Sequence, residues 1–94
     1  MEKNMKYFAA FLKMKDPEKN QQYRQQHVDF LQKNEQEGKI FARGRFTGGE
    51  GGLAIYMAES LEEARSIAQS DPYVVLGART LELYEWDMKV VTRH

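Results

Sequence analysis

The chain has no cysteine among its 94 residues. That removes disulfides, iron–sulfur clusters, thiolate zinc sites and cysteine nucleophiles together. Neither sign of charge is in excess, with 14 Lys plus Arg against 14 Asp plus Glu. A nucleic-acid binder held by bulk electrostatics carries a basic surplus, so that class is excluded and no nucleic-acid partner is expected. No apolar run approaches the roughly 20 residues that cross a bilayer. The apolar stretch Tyr7–Leu12, behind a charged N-terminus, is too short for a signal peptide. The expectation is a soluble cytoplasmic protein with no membrane partner. Residues 1–94 form a single domain, and with 41% apolar residues it depends on its own core or on a partner chain.

Tyr7-Phe8-Ala9-Ala10-Phe11-Leu12 is apolar at both parities, which predicts a strand covered on both faces. Asp16-Pro17 has the form of a helix cap followed by proline at the first helical position. From Glu18 to Glu37 there is neither proline nor glycine, and Gly38 supplies the stop. On that helix Tyr23, His27, Phe30, Leu31 and Asn34 share one face. Ile40–Phe46 and Leu53–Met57 read as strands joined through Thr47–Gly52, most economically as a hairpin. Ser60-Leu61-Glu62-Glu63 is a capping box opening a helix with Leu61, Ala64, Ile67 and Ala68 on its apolar face. That helix ends near Ser70, because Pro72 disfavours the helical region for Asp71. After a short piece around Val74–Gly77, Thr80–Met88 alternates as the last strand. The order β-α-β-β-α-β predicts an α+β, ferredoxin-like fold with both helices on one face of a four-stranded antiparallel sheet.

The other sheet face needs a cover. Leu53, Ile55 and Met57 share one parity, as do Leu81 and Leu83, and these aliphatic sets are assigned to the helix side. Tyr56, Tyr84 and Trp86 take the opposite parities and, with Tyr7 and Phe11, are assigned to the far side. Several rings facing water exceed the apolar patch of an ordinary monomer. Covering them gains on the order of 10 kcal/mol gross at ~25 cal/mol per Å², much of it offset by association entropy. A homodimer packed through the sheet face is therefore expected.

Two residues stand out as candidates for chemistry. His27 lies on the inward stripe of the first helix, where an imidazole serves either as a hydrogen-bonded core residue or as a proton carrier. Asp71, before Pro72, is accounted for as the cap of a single helical turn at Tyr73–Leu76. The functional alternative is that its carboxylate accepts a hydrogen bond from a buried imidazole, orienting it and stabilising its charged form. A metal site is not expected, since no second histidine follows at i+3 or i+4 and the other one is His94. Gly48-Gly49-Glu50-Gly51-Gly52 fails as a phosphate loop: it lacks a Gly-Lys-Ser/Thr ending and leads into a strand. Arg43 and Arg45 share a strand parity and suit an anionic or phenolic ligand in a cleft, or else a solvated strand face. Ser60 has no nearby base and is explained by capping.

The chain resembles the YciI-like (YCII-related) family of the dimeric α+β barrel superfamily. The resemblance covers about residues 5–88 and rests on five features in order. These are His27 with Phe30-Leu31, the hairpin end Gly51-Gly52-Leu53, Ser60-Leu61-Glu62-Glu63-Ala64, Asp71-Pro72-Tyr73, and a last strand ending in Trp86. It implies ferredoxin-like protomers paired sheet to sheet, with a histidine–aspartate pair, here His27 and Asp71, at a cleft. Tyr7, Arg43, Arg45, Tyr73 and Trp86 are then the expected substrate-binding residues. One branch of that family is associated with dehydrochlorination of chlorinated hydroxyhydroquinones. Where the family has Gly-Pro after the second strand, this chain has Gly44-Arg45. The implied activity is that of a small cofactor-free lyase or isomerase moving a proton on a hydroxylated cyclic substrate. The alternative is a non-catalytic dimeric binding or regulatory module. A cofactor-free monooxygenase has less behind it, because nothing marks an oxygen-binding pocket.

Overall fold

In the computed structural model, which describes residues 5–92, β1 (Lys6–Met14) is paired on both sides. Its neighbours are β3 (Gly51–Ala58) and β4 (Arg79–Trp86), and β2 (Ile40–Arg45) completes the order β2-β3-β1-β4 beyond β3. All pairings are antiparallel. Between Ile40 and Ala42 the β2–β3 register slips, so that two residues of β2 oppose one of β3. The βαββαβ order and the antiparallel α+β sheet agree with the sequence reading.

The helices begin where the caps place them. Asp16 accepts a hydrogen bond from the Lys19 N–H at 3.1 Å and opens α1 (Pro17–Gln22). The helix expected to run unbroken to Glu37 is interrupted at Tyr23 and resumes as α2 (Arg24–Gln36), with no glycine or proline to announce the break. The Ser60 hydroxyl accepts from the Glu63 N–H at 3.1 Å and starts α3 (Leu61–Gln69). The Glu63 carboxylate reaches back to the Glu59 N–H at 3.2 Å. Asp71 caps the single turn α4 (Pro72–Val75) through the Tyr73 N–H at 2.9 Å.

The core lies between the sheet and these helices. Phe8 and Ala10 on β1, Ala54, Tyr56 and Ala58 on β3, and Ala64 and Ala68 on α3 form one buried cluster, with Leu81 and Leu83 packed against it. The β3 assignment made from hydropathy is therefore reversed. Tyr56 points to the helices, and Leu53, Ile55 and Met57 lie on the far face, opposite Phe11, Ala9 and Tyr7. Small alanines on β3 and α3 let the helix approach the sheet, leaving one large slot that Tyr56 fills. The far face also carries Trp86, opposite Tyr7, and Phe41 and Phe46, whose rings meet Tyr7 and Phe11 edge-on at 5.3 and 5.8 Å. Within one chain β1 is thus sealed on one face and only half covered on the other. No helix among the described residues is long and apolar enough to cross a membrane.

Candidate active site

α2, α4 and the start of β4 converge over the end of the sheet where β2 and β3 leave the hairpin, enclosing a cavity of about 310 Å³. His27 enters it from the buried stripe of α2, together with Leu31. Its Nδ1 lies 2.8 and 2.9 Å from the two carboxylate oxygens of Asp71, whose residue is 0% exposed. A carboxylate only accepts, so Nδ1 carries the proton and donates it. Nε2 then holds the lone pair of the neutral ring. It has no partner, yet among the described residues Tyr56 Oη is the one buried side-chain nitrogen or oxygen left unpaired. Nε2 is therefore not sealed in; it opens on the cavity that His27 lines.

Asp71 thus serves two acts at once. Capping α4 fixes its carboxylate through the Tyr73 N–H, and that fixed carboxylate sets the imidazole. Tyr73 completes the assembly. Its ring stacks on His27 with centroids 4.0 Å apart and planes inclined by 15°, and the Arg79 guanidinium carbon sits 4.4 Å from its centroid. Burial pushes the Tyr73 hydroxyl's pKa up; Arg79 and Arg24 pull it down and Asp71 adds to the rise. Burial also lowers the pKa of Arg79, opposed by Tyr73 and Asp71. Tyr56 is raised by burial, with the nearby Asp71 charge adding to it.

Of the residues singled out from the sequence, His27, Asp71, Arg43, Arg45 and Tyr73 come together in or against this cavity. Tyr7 and Trp86 do not. They face each other across β1 and β4 on the opposite side of the sheet, because Tyr7 alternates with the inward Phe8 and Trp86 follows the parity of Tyr84. Arg43 pairs with Glu35 of α2, while Arg45 has no ion-pair partner among the described residues. Two charged lining residues were missed, Arg24 and Arg79. Arg79 shares the parity of Leu81 and Leu83, which had been assigned inward, so the signal was present; Arg24 lies one turn before His27 on α2. His94 lies outside the described residues, and no group of three His, Cys, Asp or Glu side chains able to hold a metal occurs among those described.

The YCII-related domain model matches residues 5–87, nearly the whole chain. The protein belongs to the YCII-related family. Within reach of this YCII-related chain is the uncharacterized protein YjpA of Bacillus subtilis (strain 168), 34% identical over 83 residues, which span 88% of this chain and 98% of YjpA. A solved structure of 5-chloro-2-hydroxyhydroquinone dehydrochlorinase (TftG) from Burkholderia phenoliruptrix AC1100, in complex with 2,5-dihydroxybenzoquinone, matches with a TM-score of 0.76. That match covers 88% of this chain and 95% of the other at 20% identity, a likeness of fold.

Proposed function

We propose that the cavity is the active site of a small lyase or isomerase, dehydrochlorinase-like, that moves a proton on a hydroxylated ring without a cofactor. One observation carries the reading: an imidazole whose Nδ1 is held by a fully buried carboxylate while its Nε2 is left to a cavity. In this reading Nε2 takes a proton from the bound ring, and the imidazolium is stabilised by Asp71. The electron pair left behind moves into the ring. In an isomerisation the proton returns to another atom of the same ring. In a dehydrochlorination the carbon–chlorine pair leaves with chloride and the proton is lost to solvent, so the net change is loss of HCl with no redox partner. The fold likeness to a dehydrochlorinase with a dihydroxybenzoquinone bound directs this reading to hydroxylated rings.

Chloride release from chlorinated hydroxyhydroquinones, wild type beside His27→Asn, tests it. The expected loss in the variant is about 10²–10⁴-fold with the fold retained. Release that is unchanged by His27→Asn overturns the role given to His27. A binding module is the second reading, and the same His27–Asp71 bond favours it as a tie between α2 and the segment leading into α4. It predicts ring ligands that bind and leave unchanged.

The working unit in this proposal is a homodimer closed through the far sheet face. What supports it is that Phe41, Phe46, Tyr84 and Trp86 stand exposed on that face, an apolar patch that pairing would cover.

A further inference from the structure

Four of the chain's six arginines, Arg24, Arg43, Arg45 and Arg79, line the cavity beside His27, and no carboxylate among the described residues does. In a chain of zero net charge this is a marked local asymmetry. Guanidiniums gathered around one small hollow repel one another unless an anion joins them. Glu35 answers Arg43 at the cavity edge. Arg24 and Arg45 have no ion-pair partner among the described residues, and Asp71 is already engaged by His27 and the Tyr73 N–H.

Arg79 is the most constrained of the four. It is 9% exposed, its Nε donates to Asn20 Oδ1 at 2.8 Å, and its guanidinium lies on the Tyr73 ring. A Cβ placed on Gly52 would come within 3.1 Å of its Nη1, so the fork reaches the cavity floor where β3 offers no side chain. Its terminal nitrogens are neither bonded nor sealed, since Tyr56 Oη is the one unpaired buried atom among the described residues. A fork pinned at Nε with both ends presented to a hollow matches the planar, two-oxygen shape of a carboxylate.

We propose that the substrate is a ring acid: a hydroxylated ring bearing a carboxylate that Arg79 grips, with Arg45 and Arg24 adding charge at the mouth. This rests on the reading of the cavity as the active site and names what enters it. Arg79 and His27 both contact Tyr73, so a carboxylate held on Arg79 sets its ring within the neighbourhood of His27 Nε2.

Calorimetric and NMR titration of the full chain with 2,5-dihydroxybenzoate and with hydroquinone tests the proposal, because the two probes share the hydroxylated ring and differ by the carboxylate. The expected result is binding of the acid about tenfold or more tighter, with the Arg79 Nε–H resonance displaced. Arg79→Gln abolishes that preference and Arg79→Lys restores part of it. Arg45→Gln, at an exposed position that leaves folding undisturbed, reduces it several-fold. Equal affinity for the two probes overturns the proposal, as does a preference that survives Arg79→Gln and Arg45→Gln, or inorganic phosphate binding more tightly than the ring acid. His27→Asn separates the two levels of argument. If the variant and the wild type both bind the acid selectively and neither turns over any ring acid, the anion site stands and the catalytic reading falls.

Discussion

Replacing Asp71 with asparagine changes almost no volume and yet is expected to change which nitrogen of His27 bears the proton. In the native site both carboxylate oxygens accept from Nδ1, at 2.8 and 2.9 Å, and one also accepts from the Tyr73 N–H at 2.9 Å. An amide offers one accepting oxygen and one donating nitrogen. With its oxygen kept on the Tyr73 N–H, its NH₂ meets Nδ1, which can then only accept. The ring proton moves to Nε2, and the cavity is presented with a donor in place of a base. The stability change follows from exchanging a charge-assisted bond, worth about 1.5–3 kcal/mol, for a neutral one worth about 0.5–1.5 kcal/mol. The net loss is about 1–2 kcal/mol, or roughly 5–10 °C in Tm for a domain of this size. Proton transfer is hit harder, by about 10³–10⁴-fold, as when the tautomer of a catalytic histidine is reversed. Two-bond ¹H–¹⁵N correlation spectra report the tautomer directly, and chloride release reports the chemistry. A variant that keeps Nδ1 protonated, or that works within twofold of wild type, would refute the reasoning.

Three further outcomes are expected. Tyr56→Phe removes a buried hydroxyl with no partner among the described residues, so at neutral pH it should be neutral or stabilise by about 1 kcal/mol in a urea melt. Burial raises the Tyr56 pKa, so above about pH 10 the folded chain keeps a proton that the unfolded chain loses. Stability then falls with rising pH by about 1.4 kcal/mol per unit, and the variant, lacking that slope, should lose about 2–3 kcal/mol less than wild type across pH 10–12; an unchanged slope would count against the burial argument. Gly51→Ala puts a Cβ 2.0 Å from the Leu12 carbonyl oxygen at a φ of +128°, and should cost about 3 kcal/mol or more by thermal melt. Trp86→Glu places a charge on the far sheet face at a residue 45% exposed, and should convert a micromolar dimer to monomer in sedimentation while the circular dichroism stays native; a wild-type monomer would remove the dimer proposal.

Caps and turns were the most legible part of the sequence, because they are decided by neighbours in the chain. Asp16-Pro17, Ser60 with Glu63, and Asp71-Pro72 each start a helix where their side chains predict. The inward placement of His27 followed from helical periodicity, and Asp71 was recognisable as its partner only through the family pattern, since 44 positions separate them. Strand faces were harder to read. On β3 both parities are apolar, and size misled: the core side takes Ala54 and Ala58 beneath α3, so the larger Leu53, Ile55 and Met57 are turned outward. The same uncertainty of facing put Tyr7 and Trp86 in the cleft by expectation. Arg79 carried the inward parity of Leu81 and Leu83, but an arginine at the start of a strand ordinarily reads as solvated, and its partners Tyr73 and Asn20 are brought to it only by the fold.

The register slip in β2 has a consequence for how this hairpin tolerates changes in length. Ile40 upstream and Arg43 and Arg45 downstream all turn toward the helices, which strict alternation from Ile40 would forbid. The slip absorbs the odd residue, so losing Ala42 would leave Ile40 opposite Tyr56 and Arg43 opposite Ala54 as before. Losing Gly44 instead would bring Arg45 opposite Leu53 and swing its charge onto the aromatic side of the sheet. Deletions should therefore be survivable at one point of this strand and ruinous to the cavity two residues later.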